Sequence, residues 1–326
     1  MKRRDFITLI GGAAAAWPFA ARAQQPAMPV IGFLSSGSPE LSSLEVDSFR
    51  IGLNESGYVE SRNMAIEFRW AGDQNDRLPA LAADLVRRQV AVIVAPNNAA
   101  VLAAKTATAT IPIVFIGSID PVAFGLVTSL NRPGGNITGV TTLNLDLGPK
   151  RVELLHELLP TARTMALLVN PTNPAAGTDM RLIEQAARTF GLQLHVLHAS
   201  TESEFMTAIA SIPKLQASAL AIAADRFFNT QSEQLAALAL HHAAPAIYQY
   251  RAFAAAGGLM SYGSAITESY RLAGLYTGQI LKGAKPTDLP VQQVTKVELI
   301  INLKTAKMLG LEVPLSLLAR AAELIE

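Results

Sequence analysis

From Pro29 onward, short β-branched apolar runs alternate with longer amphipathic segments, and this order occurs twice along the chain. The alternation is the signature of βαβ units, and hence of parallel sheets flanked by helices. In the first copy Val30-Ile31-Gly32-Phe33-Leu34 reads as a buried strand, ended by Ser35-Ser36-Gly37-Ser38-Pro39. A helix is predicted from Leu41 to Ser56, stopped by Gly57. Met64 to Trp70 alternates apolar and polar side chains, as a strand at a sheet edge does. Asp76 to Arg88 reads as a helix with Leu78, Leu81, Leu85 and Val86 on one stripe. A strand (Val90 to Ala95), a helix (Asn98 to Thr108) and a strand (Ile111 to Ile116) complete this copy.

The order restarts near Thr164. Met165 to Val169, Gln193 to Leu197, Ala219 to Ala223 and Pro245 to Tyr248 read as strands. Ala175 to Phe190, Glu202 to Lys214 and Asn229 to His242 read as helices between them. Gly57-Tyr58 and Gly191-Leu192 precede the second strand of each copy, and Ile111-Pro112-Ile113-Val114-Phe115 corresponds to Ala244-Pro245-Ala246-Ile247-Tyr248. Two similar open α/β lobes follow from this correspondence, and 326 residues are enough for two cores. Asn131 to Gly139 reads as a loop feeding the first crossover near Thr141 to Asn144. The last elements are a strand (Leu259 to Tyr262), a helix (Thr267 to Lys282), a strand (Val297 to Asn302) and short helices at Lys304 to Leu309 and Leu315 to Ile325. They are too few for a third domain and are expected to return and complete both lobes through a multi-strand hinge. The predicted division is 28–143 with 251–283 in the N-terminal lobe, and 144–250 with 284–326 in the C-terminal lobe.

Residues 1–23 read as an address rather than a fold. Lys2-Arg3-Arg4 is basic, Ile7 to Ala20 is apolar, and Ala21-Arg22-Ala23 presents small residues where a signal peptidase cuts. Arg3-Arg4-Asp5-Phe6-Ile7 resembles a twin-arginine export motif. Removing four basic and one acidic residue of this segment from totals of 27 and 26 leaves a net charge of −2. That balance offers no electrostatic footprint for nucleic acid or an anionic membrane. No apolar run after the leader is long enough to cross a bilayer, and no cysteine follows it to carry a lipid anchor. The absence of cysteine also excludes disulfides, zinc ribbons and thiol chemistry. The expectation is a periplasmic protein, free of the membrane and monomeric.

In open parallel sheets, ligands bind beyond the carboxyl ends of the strands. The loops there carry Ser35, Ser36 and Ser38, then Asn97 and Asn98, then Ser118 and Asp120 in the first copy. The second copy supplies Asn170 with Thr172 and Asn173, then Asp225 and Arg226, then Tyr248, Gln249 and Tyr250; Tyr262 ends the late strand. Helix N-termini after Ser38, Asn97 and Asp120 would aim N–H groups at an anionic end of a ligand. Asp225 would pair with an ammonium, and Tyr248 or Tyr262 would stack on a flat part. The same residue types are also ordinary caps and turn formers, and an Asp225–Arg226 pair at the rim is the alternative to a ligand role.

Catalytic constellations are missing from the pattern. No dinucleotide or Walker loop occurs after residue 28, and Ser261 lacks the spacing of a nucleophile elbow. His195 and His198 point to opposite faces of a strand and cannot chelate one metal. His241-His242 ends a helix, where a cap is the natural role, and His156 sits beside Glu157 on a helix, expected at the surface. No cofactor and no enzymatic activity are expected.

Val30-Ile31-Gly32-Phe33-Leu34, Ile111-Pro112-Ile113-Val114-Phe115 and Asp120-Pro121-Val122 resemble the ABC-transporter substrate-binding family that includes tryptophan- and tyrosine-type binding proteins. Arg132-Pro133-Gly134-Gly135-Asn136-Ile137-Thr138-Gly139-Val140 is similar to that family's most distinctive segment, and Glu153 to Pro160 to its next helix. The likeness covers residues 28–290. It implies a type I periplasmic-binding fold whose lobes close on a small polar or carboxylated solute and present it to an ABC permease. By position it places the first-strand serines, Asn97, Asn98, Asp120, Asn170, Asp225 and Tyr262 in the cleft. The chain departs at Ala224-Asp225-Arg226-Phe227, where amino-acid-binding members tend to carry a Thr-Asp-Asn-like run. A bulky cation there argues against an aromatic amino acid. A sensor feeding a signalling partner, and an enzyme on a two-lobed scaffold, are the alternatives.

Overall fold

The protein is described by a computed structural model covering residues 28–326, apart from Leu41 and Leu143. The export segment read at residues 1–23 lies outside the described residues. In the first copy the chain runs β1 (Val30–Ser35), α1 (Ser43–Glu55), β2 (Ala65–Trp70), α2 (Leu78–Arg87), β3 (Val92–Ala95), α3 (Asn98–Ala107), β4 (Ile113–Gly117) and β5 (Ile137–Thr141). It then crosses to α4 (Gly148–Leu158), β6 (Thr164–Val169), α5 (Ala176–Thr189), β7 (Gln193–His198), α6 (Glu202–Ala210) and β8 (Ala219–Ile222). The second copy continues with α7 (Arg226–Thr230), α8 (Ser232–His241), β9 (Ala246–Tyr248), α9 (Arg251–Ala255) and β10 (Met260–Ser264). The final passes are α10 (Ile266–Leu281), β11 (Gln292–Gln293), β12 (Val297–Asn302), α11 (Leu303–Met308), α12 (Leu315–Arg320) and β13 (Glu323–Ile325).

Among the described residues these strands form two sheets, ordered β11-β5-β4-β3-β1-β2 and β13-β12-β10-β9-β8-β6-β7. Every neighbour pair is parallel except β10 with β12. The central strands are buried along their length because helices cover both faces, which is why they read as unbroken apolar runs. β2 alternates and lies at a sheet edge, as its composition requires. Its Phe68 and Trp70, two residues apart and so on one face, pack with Phe33 of β1 at ring-centroid distances of 5.3 and 5.6 Å.

Three passes join the lobes: Thr141 to Gly148, Ser264 to Ile266, and Gln293 to Val297. Val294 N–H donates to Thr141 C=O at 3.0 Å, and Ser264 Oγ donates to Thr142 C=O at 3.5 Å, so the passes lie side by side as a hinge. The ends of the predicted division need correcting. Residues 251–264 belong to the second lobe, since β10 pairs with β9 and β12, and only α10 returns to the first. Gln292–Gln293 pairs with β5 in the first sheet, so the chain reaches the second lobe again only at β12. The last predicted helix stops at Arg320, and Glu323–Ile325 adds an edge strand beside β12. Asn229 to His242 is two helices, with Gln231 between them.

The distinctive Pro-Gly-Gly-Asn segment has a structural task. Asn136 Nδ2 donates to Ile111 C=O at 2.7 Å, and Thr138 Oγ1 to Leu289 C=O at 2.6 Å, which fastens β5 between β4 and the returning chain.

α10 closes the first lobe by packing against α1. The crossing is backbone on backbone: a Cβ on Gly52 would fall 1.9 Å from Arg271 O, and one on Gly274 would fall 2.2 Å from Phe49 O. Both obstacles are main chain and cannot rotate away. Gly274→Ala is therefore expected to lower the unfolding free energy by about 2 kcal/mol. Gly177→Ala, in α5 with open space around it, is expected to raise it by ~0.5–1 kcal/mol. Urea unfolding of the two variants beside the wild type checks both signs.

Candidate functional site

A cavity lies between the lobes at the carboxyl ends of both sheets, with about 700 Å³ of empty space including its solvent-open mouth. Strand-end loops of a parallel sheet all emerge on one side, so two such sheets face each other with their loops. From the first lobe the lining includes Ser36, Asp73, Asn97, Asn98 and Ser118; from the second it includes Asn170, Asn173, Asp225, Arg226 and Tyr250.

The first-lobe wall is fixed by reciprocal amide bonds. Asn98 Nδ2 donates to Ser118 Oγ at 3.0 Å, and Ser118 N–H donates to Asn98 Oδ1 at 3.2 Å, tying the β3 and β4 loops together. Asn97 caps α3 by accepting Ala100 N–H at 3.0 Å, while its Nδ2 is buried without a partner. Asp73 is held by its backbone N–H on Ser36 C=O at 2.6 Å; its Oδ1 is buried and unpartnered. Burial, helped by the nearby Asp225 carboxylate and opposed by Arg226, raises the Asp73 pKa above the ordinary value.

The second-lobe wall is centred on Asp225, which caps α7 by accepting Phe227 N–H at 2.9 Å and receives Asn170 Nδ2 at 3.0 Å. Burial raises its pKa, against the N–H donors that favour the carboxylate. Asn170 Oδ1 in turn accepts Thr172 N–H at 3.0 Å and Oγ1 at 2.8 Å. Arg226 does not pair with Asp225. Its Nη1 reaches Glu45 Oε1 at 2.7 Å and its Nη2 reaches Ser42 Oγ at 2.5 Å, both in the first lobe.

Seven of the sequence-derived candidates, Ser36, Asn97, Asn98, Ser118, Asn170, Asp225 and Arg226, line the cavity. Five lie elsewhere. Ser35 is buried, its Oγ accepting Gly37 N–H at 3.2 Å, and Ser38 serves through its C=O, which accepts Ser42 Oγ at 2.6 Å. Asp120 closes an exposed turn by accepting the N–H groups of Val122 and Ala123. Tyr248 is fully buried and stacked on Phe253 at 4.6 Å, and Tyr262 packs on the second-lobe core. Strand parity turns both rings into packing layers. The aromatic lining comes instead from Phe227, from Tyr250, whose hydroxyl accepts Asn144 Nδ2 at 2.6 Å, and from Tyr270 on α10. Sequence reasoning also passed over Asp73, Asn75, Thr142 and Asn229. The loop after β2 was the available signal for Asp73 and Asn75, since it too emerges at a carboxyl end. His156, expected at the surface, is half-buried against Phe190 at 5.2 Å.

Behind this wall sits a buried charge pair. Arg151 donates from Nη2 to Asn144 C=O at 2.7 Å and from Nη1 to Tyr262 C=O at 3.2 Å, both beside the hinge. Asp179 of α5 accepts Ala224 N–H at 3.0 Å, one residue before Asp225. Burial pushes the Asp179 carboxyl up to about 6, against the Arg151 guanidinium and the Ala224 N–H. Among the described residues no group of three or more His, Asp or Glu side chains is arranged to hold a metal ion. The cavity can bind through amides, two carboxylates and aromatic rings.

Residues 30–325 match the model of the family described as ABC transporter substrate binding protein. The chain is 27% identical over 261 residues to a tyrosine-binding protein of Clostridioides difficile, a match that covers 80% of this chain and 74% of that one. Among solved structures, a conserved domain protein from Vibrio cholerae superposes with a TM-score of 0.83 at 25% identity, covering 91% of this chain and 99% of that one. The ABC domain from Streptococcus pneumonia in complex with L-Trp gives a TM-score of 0.80 at 26% identity, with the same 91% and 99% coverage.

The raised pKa of Asp179 sets a sign for stability against pH. Folding favours the protonated acid, so its contribution is complete below the ordinary value of 3.8 and is lost as pH rises through about 6. The loss is on the order of 2–3 kcal/mol. Asp179→Asn, which keeps an acceptor for Ala224 N–H, is expected to flatten the stability slope between pH 4 and 6, as read by urea unfolding at several pH values.

Proposed function

We propose, from the premise that this chain belongs to the ABC transporter substrate-binding protein family, that it is an extracytoplasmic receptor. It closes its two lobes on a small amine-bearing carboxylate, of the amino-acid kind, and delivers it to an import permease. The observation that carries this reading is the division of polar groups between the walls. The first lobe offers the Asn98–Ser118 pair, the free Asn97 Nδ2 and the N-terminus of α3, which suit a carboxylate. The facing wall offers Asp225, and the unpartnered Asp73 oxygen of the first lobe lies near it, so that the two together suit an ammonium. Tyr250 and Tyr270 supply flat apolar area between them.

The tyrosine-binding relative and the L-Trp complex support an amino-acid solute. The cation at the position where the chain departs from the family pattern does not weigh against it, as the sequence alone suggested. Arg226 is paired with Glu45 at 2.7 Å, so its guanidinium is not an unpaired cation facing the solute. A solute shifts the equilibrium toward the closed arrangement by touching both walls at once, because only a ligand with differential affinity for the two arrangements can move it. Residues 1–23, read as an export signal, fit the same role, as does a receptor without catalytic chemistry.

Titration calorimetry against tyrosine, tryptophan and the other amino acids tests the reading. Saturable binding without turnover is expected, and Asn98→Ala and Asp225→Asn are each expected to weaken it at least ~10-fold by removing one wall's charge-assisted bonds. Binding to neither aromatic nor other amino acids, or unchanged affinity in both variants, would overturn it.

A further inference from the structure

The Arg226 side chain crosses the seam between the lobes, and among the described residues its hydrogen-bond partners both lie on the far side, while its Nε is buried without one. Nη1 meets Glu45 at 2.7 Å and Nη2 meets Ser42 Oγ at 2.5 Å, while Ser42 Oγ passes its own hydrogen to Ser38 C=O at 2.6 Å. The guanidinium lies against Gly37, where an added Cβ would be 3.2 Å from Nε. Gly37, Ser42 and Glu45 thus form a socket that fits the planar fork of an arginine. Glu45 sits in the first turn of α1, where the helix end favours its negative charge. The pair is well removed from water, with side-chain exposures of 8% for Arg226 and 14% for Glu45. Burial works against the charged guanidinium, and Tyr270, Glu45 and Asp73 more than offset it, so Arg226 stays protonated.

A second clasp lies at the β2 loop. Asn75 Nδ2 donates to Thr172 Oγ1 at 3.1 Å across the same seam. Ala175 and Ala224 of the second lobe pack into the core cluster of the first. Closing the seam therefore brings together groups that all belong to the chain.

We propose that Arg226 and its Gly37–Ser42–Glu45 socket are an interlobe latch that holds a substantial fraction of the protein closed before any solute arrives, and so sets the affinity of the receptor. Apparent affinity scales with the fraction of protein in the binding-competent state. A latch supplied by the chain raises that fraction, and a solute then has less closure to drive. Arg226 lines the cavity, but it acts here through lobe position rather than through contact with the solute. The proposal rests on the closing-receptor reading for its consequence, but its test needs no solute.

The chain contains no cysteine, so a labelled pair can be introduced cleanly. Exposed Gln74 and Ser203 follow the edge strands β2 and β7 at their cleft ends, one in each lobe, and suit Gln74→Cys and Ser203→Cys spin labels. Distance distributions by pulsed electron resonance on the solute-free protein are expected to show a short-distance, closed population. Glu45→Gln, which removes the charge, and Gly37→Val, which fills the seat of the guanidinium, are each expected to lower the closed-to-open ratio by about 10-fold (about 1.4 kcal/mol). Circular dichroism confirms that both variants are folded. A solute-free wild type with no closed population, or a Glu45→Gln protein with the wild-type distribution, would overturn the latch. Failure to bind amino acids would instead overturn the solute assignment and leave the latch standing.

Discussion

Parallel strands that start together must end together, and this constraint organises the molecule. Each sheet sends its strand-end loops to one side, and those loops carry backbone groups that no strand partner satisfies. In a single open sheet they would face water. Here three chain passes hold two sheets mouth to mouth, so the loops of each lobe form a wall of the same cavity. The hinge makes the arrangement adjustable, because among the described residues the chain passes between the halves only near Thr141, Ser264 and Val294.

The polar groups of the seam are arranged so that nearly every buried charge has a stated partner. Asp225 is held by amides, Asp179 by Ala224 N–H and the field of Arg151, and Arg226 by Glu45 and Ser42. Removing one member of such a set leaves an uncompensated charge, at a cost of ~3–5 kcal/mol. Asp179 Oδ1 and Arg226 Nε are buried without a hydrogen-bond partner, and on the cavity wall Asp73 Oδ1 and Asn97 Nδ2 are left unpartnered as well. An orphaned acceptor and an orphaned donor on its walls describe the complement that a bound molecule supplies. Arg151 is bonded to Asn144 beside the hinge and acts electrostatically on Asp179, whose carboxylate accepts Ala224 N–H next to Asp225.

Much of this was legible in residue order. The apolar runs at Val30, Val92, Ile113, Met165 and Leu220 are buried strands because both sheet faces are covered, and β-branched composition reports that directly. Loop residues adjoining these strands, such as Asn98, Asn170 and Asp225, were found for the same reason. What was not legible depends on long-range pairing. The lobe to which Met260–Ser264 belongs is decided by its antiparallel contact with Val297–Asn302, and an apolar run carries no label for its partner. The tyrosines show the limit in a different way: Tyr248 and Tyr250 are two residues apart, yet the chain leaves the strand between them, so one ring enters the core and the other the cavity. Arg226 was visible as a departure from the family pattern, but its meaning lay in Glu45, 181 residues away.

The central claim is that a small solute is held in the seam, touching both walls. A crystal structure of the protein with the amino acid that binds it most tightly tests this directly. The account predicts density bounded by Asn97, Asn98 and Asp73 of the first lobe and by Asp225 of the second, with the orphaned oxygen and amide both engaged. Density outside the seam, or a solute that leaves both atoms unpaired, would contradict it.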